Sequence, residues 1–311
     1  MSGIFRAVLV AVATAAPVTS AVAQQEAKPE VVQTSVTTRD GWTIPLTYYK
    51  TADDREAPVV LMLQGEDVNR QAWTPLAKTL HAAGYAVLTC DLRKSGESSY
   101  AGRSLDRTTP GDYRAMVGID LETIKEFVHD EHQAGRLNIR KTGIVAAGGG
   151  APLAVAAATA DWMRPPLFDA PMLSARTPRG QDVRSLVMLT PDSGVPGISV
   201  GNAVRKLVAP PAKVSLWIGV GERGRDDIKT AEAFFKQAGG KERKSAAAED
   251  DAAPKTQVRF LRVFPGVAQK GTDLLQPQID RQLKVSLQVV SFFNTTLKSL
   301  PDVWVDRAGR R

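Results

Sequence analysis

The sequence predicts an α/β protein in which helices cover both faces of a mostly parallel central sheet. Strand-like and helix-like segments alternate along the chain after residue 35, as they do in sheets built from strand–helix–strand units. Several strand-like segments, such as residues 57–64, are unbroken apolar runs, which is typical of strands buried on both sides. The 311 residues, 43% of them apolar, suffice for one large domain with a full core, or for two small ones.

The individual elements follow from turn residues and apolar spacing. Residues 31–37 and 42–49 are predicted to pair as an antiparallel hairpin, because Asp40-Gly41 between them is a favoured turn dipeptide. Gly84 is placed to end a first helix, and Pro152 fits the first turn of a later one. Helical spacing predicts helices over residues 71–83, 112–132, 152–160 and 283–297. Apolar runs predict strands at residues 57–64, 85–91, 141–146, 183–190, 214–220 and 257–264.

The first residues have the pattern of an export signal. Arg6 precedes an apolar stretch, and Ala21-Val22-Ala23 supplies the small residues of a cleavage site. The apolar stretch is shorter than the roughly 20 residues that a membrane-spanning helix needs. We predict a cleaved signal peptide over residues 1–23 and a secreted or periplasmic protein, with an uncleaved anchor as the minor alternative. A linker over residues 24–35, a domain over 36–298 and a tail over 299–311 complete the predicted organisation.

Two stretches interrupt the alternation of strands and helices. Residues 239–256 are charged and small, so they are predicted to form a flexible surface insertion within the domain. Residues 161–181 are rich in proline and arginine, and we expect a partly ordered excursion beside the functional site. The connections over residues 190–214 are short, which predicts a minimal lid and a shallow or open pocket.

Composition excludes some classes of partner. The net charge of +7 comes from basic residues scattered along a chain with few aromatic residues, so no nucleic-acid surface is predicted. No segment after the signal peptide is predicted to span a membrane. The single cysteine, Cys90, lies in a predicted buried strand; it forms no internal disulfide, and burial is expected to raise the pKa of its thiol.

Two turns of the predicted fold are the basis of the functional prediction. Gly148-Gly149-Gly150 lies between a predicted strand and a predicted helix, and a second turn, residues 263–273, follows the last predicted strand. In this order they resemble the active-site turns of the α/β-hydrolase fold family, over roughly residues 36–293. The first resembles the nucleophile elbow, G-x-S-x-G, with Gly148 in place of the serine. The second resembles a turn that often reads PGAxHG, with Gln269 in place of the histidine.

Three further segments strengthen the resemblance. Residues 61–65 are similar to the LLHG strand end that supplies half of the family's oxyanion hole, with Gln64 replacing the histidine. Residues 91–98 are similar to DLRGHGES, with Ser95 at the histidine position. Gly221-Glu222 resembles the pair that precedes the catalytic acid, whose usual place falls at Gly224. Asp226 and Asp227 are shifted onward from that place.

The resemblance implies the fold without the usual chemistry. Glycine at position 148 offers no nucleophile, and the amide of Gln269 has no useful basicity near neutral pH. The three histidines, His81, His129 and His132, lie on predicted helices before the elbow, whereas the family's catalytic histidine comes last in the chain. The glycine also relieves the strain that the elbow imposes on a residue with a Cβ.

Three functional hypotheses stay open at this stage. The first is a catalytically inactive hydrolase homologue that binds an unknown small molecule or protein in the inherited pocket, where the N–H groups of Gly149 and Glu66 form an oxyanion-type hole. The second is an active esterase or peptidase that uses displaced residues. The third is a structural interaction protein of the cell envelope. The predicted binding residues are Gln64, Gly65, Glu66, Gly148, Gly149 and Gln269.

No cofactor and no metal ion are predicted. The glycine run matches neither the dinucleotide fingerprint nor the phosphate-binding loop with its lysine, and we interpret it first as a tight strand-to-helix corner. His129 and His132 lie at helical spacing, but the sequence offers them no third metal ligand. Lys270 is near the vestigial site as an amine, although it has no nucleophile to activate.

Overall fold

The computed structural model describes residues 30–52, 54–65, 68–100, 107–177, 179–240 and 257–307. Its strands are β1 Glu30–Thr37, β2 Trp42–Lys50, β3 Pro58–Leu63, β4 Ala86–Cys90, β5 Ser99–Tyr100, β6 Asn138–Gly148, β7 Val183–Pro191, β8 Gly194–Val195, β9 Ile198–Ser199, β10 Ser215–Gly221 and β11 Arg259–Phe264. Its α-helices are α1 Thr74–Ala82, α2 Pro110–Ala115, α3 Leu121–Gln133, α4 Gly150–Met163, α5 Ala203–Val208, α6 Arg225–Gln237, α7 Pro277–Leu283 and α8 Val285–Phe293.

The main sheet has the strand order β1-β2-β4-β3-β6-β7-β10-β11, with β5 paired to β2. The strands from β4 to β11 in this order are parallel, whereas β1 and β2 run antiparallel at one side. All the parallel strands therefore end on the same side of the molecule. We call that side the carboxyl end of the sheet, and the side where these strands start the amino end.

Apolar side chains pack on both faces of the sheet. On one face, Leu76 of α1 and Phe293 of α8 pack with Val60 and Val145 of the strands. On the other face, side chains of α3, α4, α5 and α6 pack with strand residues such as Ile144. Since the parallel strands are covered on both sides, they need apolar residues at every position, which explains the unbroken runs in the sequence. The predicted fold class is confirmed.

Two predicted helices are interrupted. The helix predicted over residues 112–132 consists of α2, a π-helical segment Met116–Asp120 and α3. The helix predicted over residues 283–297 begins only after Lys284, whose φ of 56° ends α7 and turns the chain before α8. Apolar spacing does not reveal the first event, because buried side chains continue through the π-helical segment into α3.

The structure corrects the predicted boundaries of the domain. Residues 30–35, assigned to the linker, belong to β1, where they pair with β2 from Glu30↔Lys50 onward. The predicted signal peptide, the rest of the linker and residues 241–256 of the predicted insertion lie outside the described residues. In the predicted tail, residues 301–307 contact the body of the domain: Trp304 Nε1 donates to the carbonyl of His132 over 2.9 Å.

The segment over residues 161–181 is not beside the elbow. It follows α4, which starts at Gly150 and continues for 14 residues to Met163. At about 1.5 Å per residue, the helix carries the chain roughly 20 Å away, to the amino end of the sheet. The expectation that this excursion borders the functional site is wrong, because an α4 of this length separates the two.

A buried group of charges joins the C-terminal segment to the domain. The carboxylate of Asp182 lies 3.1 Å from Lys125 Nζ and 2.7 Å from Arg307 Nη2, and its side chain is 1% exposed. Lys125 also pairs with buried Asp161. Burial alone would raise the pKa of Asp182, but the charges of Lys125 and Arg307 outweigh it and lower that pKa.

No helix among the described residues is both long and apolar enough to cross a membrane.

Asp182→Asn is expected to lower the free energy of unfolding by about 3–5 kcal/mol, because it leaves buried cations short of a partner. Urea unfolding measures the change, and Asp226→Asn, on a side chain that is 93% exposed, is the control with little expected effect. Since the folded pKa of Asp182 is lowered, its contribution is present above the unfolded pKa of about 3.9. The difference between the variant and the natural protein should therefore shrink as the pH falls below about 4. A difference that is constant with pH would contradict this origin.

Candidate active site

The strand-to-helix turn at the carboxyl end of the sheet has the geometry of a nucleophile elbow without a side chain. β6 ends at Gly148, whose φ is +50°, and Gly149 is the N-cap of α4. A residue with a Cβ in this conformation is strained by about 1–3 kcal/mol, whereas glycine is not. A Cβ at position 148 would meet one described atom within 4 Å, Asp192 Oδ2 at 3.7 Å. The turn therefore retains room for a side chain that it does not carry.

A close contact between the start of α4 and the end of β3 forms the base of the site. A Cβ at Gly150 would lie 2.6 Å from the carbonyl oxygen of Leu63 and 2.9 Å from that of Gln64. Glycine is required here, because these neighbours are backbone atoms that cannot move independently of the sheet. This contact brings Gly65, directly after β3, next to Gly149.

Gly65 packs against the backbone nitrogen of Gly149 at this contact. A Cβ on Gly65 would be 3.4 Å from the nitrogen of Gly149. Neither the N–H of Gly65 nor that of Gly149 donates a hydrogen bond to a described residue, and both lie at the N-terminal, positively polarised end of a 14-residue helix. The arrangement can bind a carbonyl oxygen or an anion. Glu66, the predicted second donor, lies outside the described residues.

A pocket opens beside these two glycines. It is small: about 20 Å³ is open to the centre of a water-sized molecule, within about 340 Å³ of space that includes open solvent. Apolar side chains of Leu92, Met116 and Leu153 form much of the wall, with Tyr113 among them. The remaining lining residues are Gln64, Gly65, Arg93, Lys94, Ser95, Thr108 and Gly149.

The carboxylate of Asp91 holds the loop that forms one wall of the pocket. Asp91 is fully buried and accepts four hydrogen bonds: from the backbone N–H of Arg70 (2.7 Å), from Arg70 Nη1 (2.5 Å), from the N–H of Glu97 (3.0 Å) and from Gln64 Nε2 (3.2 Å). A Cβ at Gly96 would lie 2.3 Å from its carboxyl carbon. The loop is thus packed tightly around the carboxylate of Asp91.

Gln64 occupies the position at which the family has a histidine, and its side chain makes structural hydrogen bonds there. Its Nε2 donates to the carbonyl of Cys90 over 2.8 Å as well as to Asp91, and the residue is 5% exposed. Its Oε1 is buried without a hydrogen-bond partner among the described residues. The amide therefore ties β3 to the loop after β4, and Gln64 is one of the residues that line the pocket.

The cations of the pocket wall are already paired. The guanidinium of Arg93 donates to Asp120 over 2.6 Å and to Asp40 over 2.8 Å. Lys94 Nζ lies 3.0 Å from the carboxylate of Asp112. Burial raises the pKa of Asp120, although Arg93 opposes the shift. A ligand would accordingly meet the free N–H groups of the glycines before it meets an unpaired positive charge.

Gln269 and Gly224 lie on the turns next to the elbow. The carbonyl of Gln269 packs against Gly221 at the end of β10, and its Oε1 accepts a hydrogen bond from the N–H of Ala268 over 3.3 Å. A Cβ at Gly224 would lie 2.1 Å from Asp227 Oδ2, so the carboxylate of Asp227 occupies the space beside Gly224. Lys270 Nζ pairs with that carboxylate over 2.8 Å. The carboxylate of Asp227 and the amine of Lys270 thus form an ion pair next to Gln269.

Asp192 is the residue of the site that sequence reasoning missed. It follows β7 directly, and its Oδ2 would lie 3.7 Å from a Cβ at Gly148 and 3.6 Å from one at Gly149. Although the residue is exposed, its carboxylate faces the elbow. Partial burial, and then the negative charge of Asp227, raise the pKa of Asp192. A polar residue directly after a buried parallel strand was the available signal.

The structure thus places the predicted site residues in two groups. Gln64, Gly65 and Gly149 line the pocket, whereas Gly148 and Gln269 lie beside it without belonging to its wall. None of the histidines is at the elbow: His81 and His132 bind backbone carbonyls of Lys50 and Val305, and His129 is on α3. No group of residues suited to a metal ion occurs among the described residues.

Comparisons with known proteins agree with this geometry. No protein family and no curated protein matches the sequence. Among solved structures, an esterase of Pyrococcus furiosus is 16% identical with a TM-score of 0.55, and the match covers 86% of this chain and 92% of the esterase. A predicted CIB-like hydrolase from Thermoplasma acidophilum is 12% identical with a TM-score of 0.52, over 85% of this chain and 98% of the other.

A third solved structure, that of DcsB in complex with its substrate analogue, is 13% identical with a TM-score of 0.55, over 86% of this chain and 99% of the other. The chain therefore has the α/β-hydrolase fold. Sequence identities this low support a shared fold but do not show a shared activity.

Gly150→Ala is expected to lower the free energy of unfolding by about 1–3 kcal/mol, because its methyl group would press on the carbonyls at the end of β3. Gly118→Ala is the matched control, since a Cβ there would meet no described atom within 4 Å. The control is expected to stabilise the protein by up to about 1 kcal/mol. Urea unfolding compares the two variants, and an equal effect in both would show that the contact between α4 and β3 is not tight.

Proposed function

We propose that the protein is an exported member of the α/β-hydrolase fold class that binds a ligand at the elbow without serine-hydrolase activity. The observation that carries the proposal is the turn at Gly148, which keeps the φ of an elbow and lacks the nucleophile. Gln269, in the position of the histidine, supplies no base. Export rests on the signal pattern over residues 1–23.

The chemistry of the pocket suggests the class of ligand. The N–H groups of Gly65 and Gly149, which donate to no described residue, suit a carbonyl or carboxylate oxygen. The apolar wall of Leu92, Met116 and Leu153 suits a hydrocarbon chain attached to it. We therefore expect a small molecule with a carboxylate or ester head and an apolar tail. The open mouth of the pocket favours such binding over a purely structural role in the cell envelope, which is the third hypothesis.

Octanoate is a suitable probe of this site, because it combines both chemical features. In a titration followed by amide NMR, the signals of Gly65 and Gly149 are expected to shift, and those of Gly135 and Gly239, which lie elsewhere in the fold, are expected to stay. Saturable shifts confined to the pocket support the proposal. Shifts of equal size at all four glycines, or at none of them, would contradict it.

The protein over residues 24–311 is expected to give no labelling with a fluorophosphonate probe and no turnover of a short-chain ester. The Gly148→Ser, Gln269→His double variant is expected to label, because position 148 has room for a side chain. Its serine has to bear about 1–3 kcal/mol of backbone strain. Labelling of the natural protein would contradict the proposal and indicate an activated serine elsewhere.

A specific observation keeps an active hydrolase as the second candidate. The carboxylate of Asp192 faces the elbow, and its raised pKa suits a general base. In such a reaction Asp192 would take a proton from water, the resulting hydroxide would add to a carbonyl bound at Gly65 and Gly149, and the alkoxide would leave with that proton. Ester turnover without fluorophosphonate labelling, abolished in Asp192→Asn, would favour this candidate over simple binding.

A further inference from the structure

A group of exposed apolar side chains lies at the amino end of the sheet, far from the pocket. Phe168 is 86% exposed, and Met163, Met172 and Leu173 are each 68% exposed. All four fall within eleven residues, from Met163 at the end of α4 to Leu173 before β7. Isolated exposed apolar residues are common, but a cluster of large ones marks an interaction surface.

Two arginine residues belong to the same segment as these apolar side chains. The guanidinium of Arg176 lies 4.4 Å from the ring centre of Phe168, and Arg179 follows three residues later. Neither arginine forms an ion pair with a described acidic residue. The carboxylates of Asp161 and Asp182 are buried and already paired with Lys125, whereas Asp169, next to Phe168, is exposed and accepts a hydrogen bond from the N–H of Thr177 over 3.0 Å. We call Met163, Phe168, Met172, Leu173, Arg176 and Arg179 the amino-end patch.

The chain enters the fold at the same end of the sheet. Glu30, the first residue of β1, pairs with Lys50 at the end of β2, and Tyr49 pairs with Val87 near the start of β4. The residues of the predicted export signal and linker therefore join the domain on this side. The C-terminal segment lies here as well, since Asp302 pairs with Arg140 and Arg184, and it adds Val303 and Val305 to the exposed apolar residues.

We infer that the amino-end patch docks on an anionic phospholipid surface, with its apolar side chains inserted between headgroups and its arginines on phosphates. Apolar tips flanked by unpaired arginines are the combination that binds a charged membrane interface. Docking in this orientation places the pocket on the far side of the domain, open to solvent. The inference depends on the proposed function in one respect: export determines which membrane the protein would meet.

The test is sedimentation of the protein over residues 24–311 with vesicles of phosphatidylglycerol and phosphatidylethanolamine, compared with vesicles of phosphatidylcholine. Binding is expected to prefer the anionic vesicles and to weaken with added salt. The Phe168→Ser, Met172→Ser, Leu173→Ser triple variant is expected to bind about tenfold more weakly. Leu287→Ser, a residue of α8 that is 58% exposed, is the matched control and should bind normally.

A second pair of variants tests the charges separately. Arg176→Gln, Arg179→Gln is expected to weaken binding to the anionic vesicles, whereas Lys229→Gln, Arg281→Gln on other helices is expected to change it little. Circular dichroism and the octanoate response of Gly65 and Gly149 serve as checks of folding and of the pocket. Loss of vesicle binding with a normal octanoate response thus separates this inference from the proposed function.

Three results would overturn the inference. They are equal binding to both kinds of vesicle, unchanged binding of the triple variant, and absence of vesicle binding together with a dimer in solution that the triple variant abolishes. The last result would identify the patch as an interface between two copies of this chain.

Discussion

The carboxylate of Asp91 holds together the side of the molecule on which the pocket depends. It is fully buried at the end of β4 and binds the end of β3 through Gln64, the segment before α1 through Arg70, and its own loop through the N–H of Glu97. Four donors fill the acceptor capacity of a carboxylate, so the ion is stable only while all three segments stay in place. Without it, the wall formed by residues 92–95 would lose its link to the end of β3 and to the segment before α1, and would keep the bonds of Arg93 and Lys94 to Asp120, Asp40 and Asp112.

The shape of the elbow does not depend on a side chain at position 148. Its shape depends on the close packing of Gly150 against the backbone of β3 and on the positive φ of Gly148, neither of which needs a nucleophile. Glycine at position 148 removes strain that a serine would impose. The same backbone path brings Gly65 next to the nitrogen of Gly149.

Charged residues divide the molecule into two ends with different properties. At the carboxyl end of the sheet, Asp192, Asp227 and Lys270 surround the elbow, and the charges of the pocket wall are paired within the protein. At the amino end, Arg176 and Arg179 stand beside exposed apolar side chains. The first arrangement suits a small polar head group in a confined site, and the second suits a broad, negatively charged surface.

The sequence by itself determined the fold class, because the apolar runs of buried strands and the order of the motifs depend on local composition. It also located the elbow at Gly148 and the turn at Gln269, since each follows a strand directly. Tertiary structure alone decided which residues meet there. Asp192 approaches the elbow from β7, and Asp227 folds back over Gly224, although sequence spacing had separated both from the site. It also placed residues 161–181 at the opposite end, because the length of α4 fixes the distance, and brought Arg307 to Asp182 across 125 residues of chain.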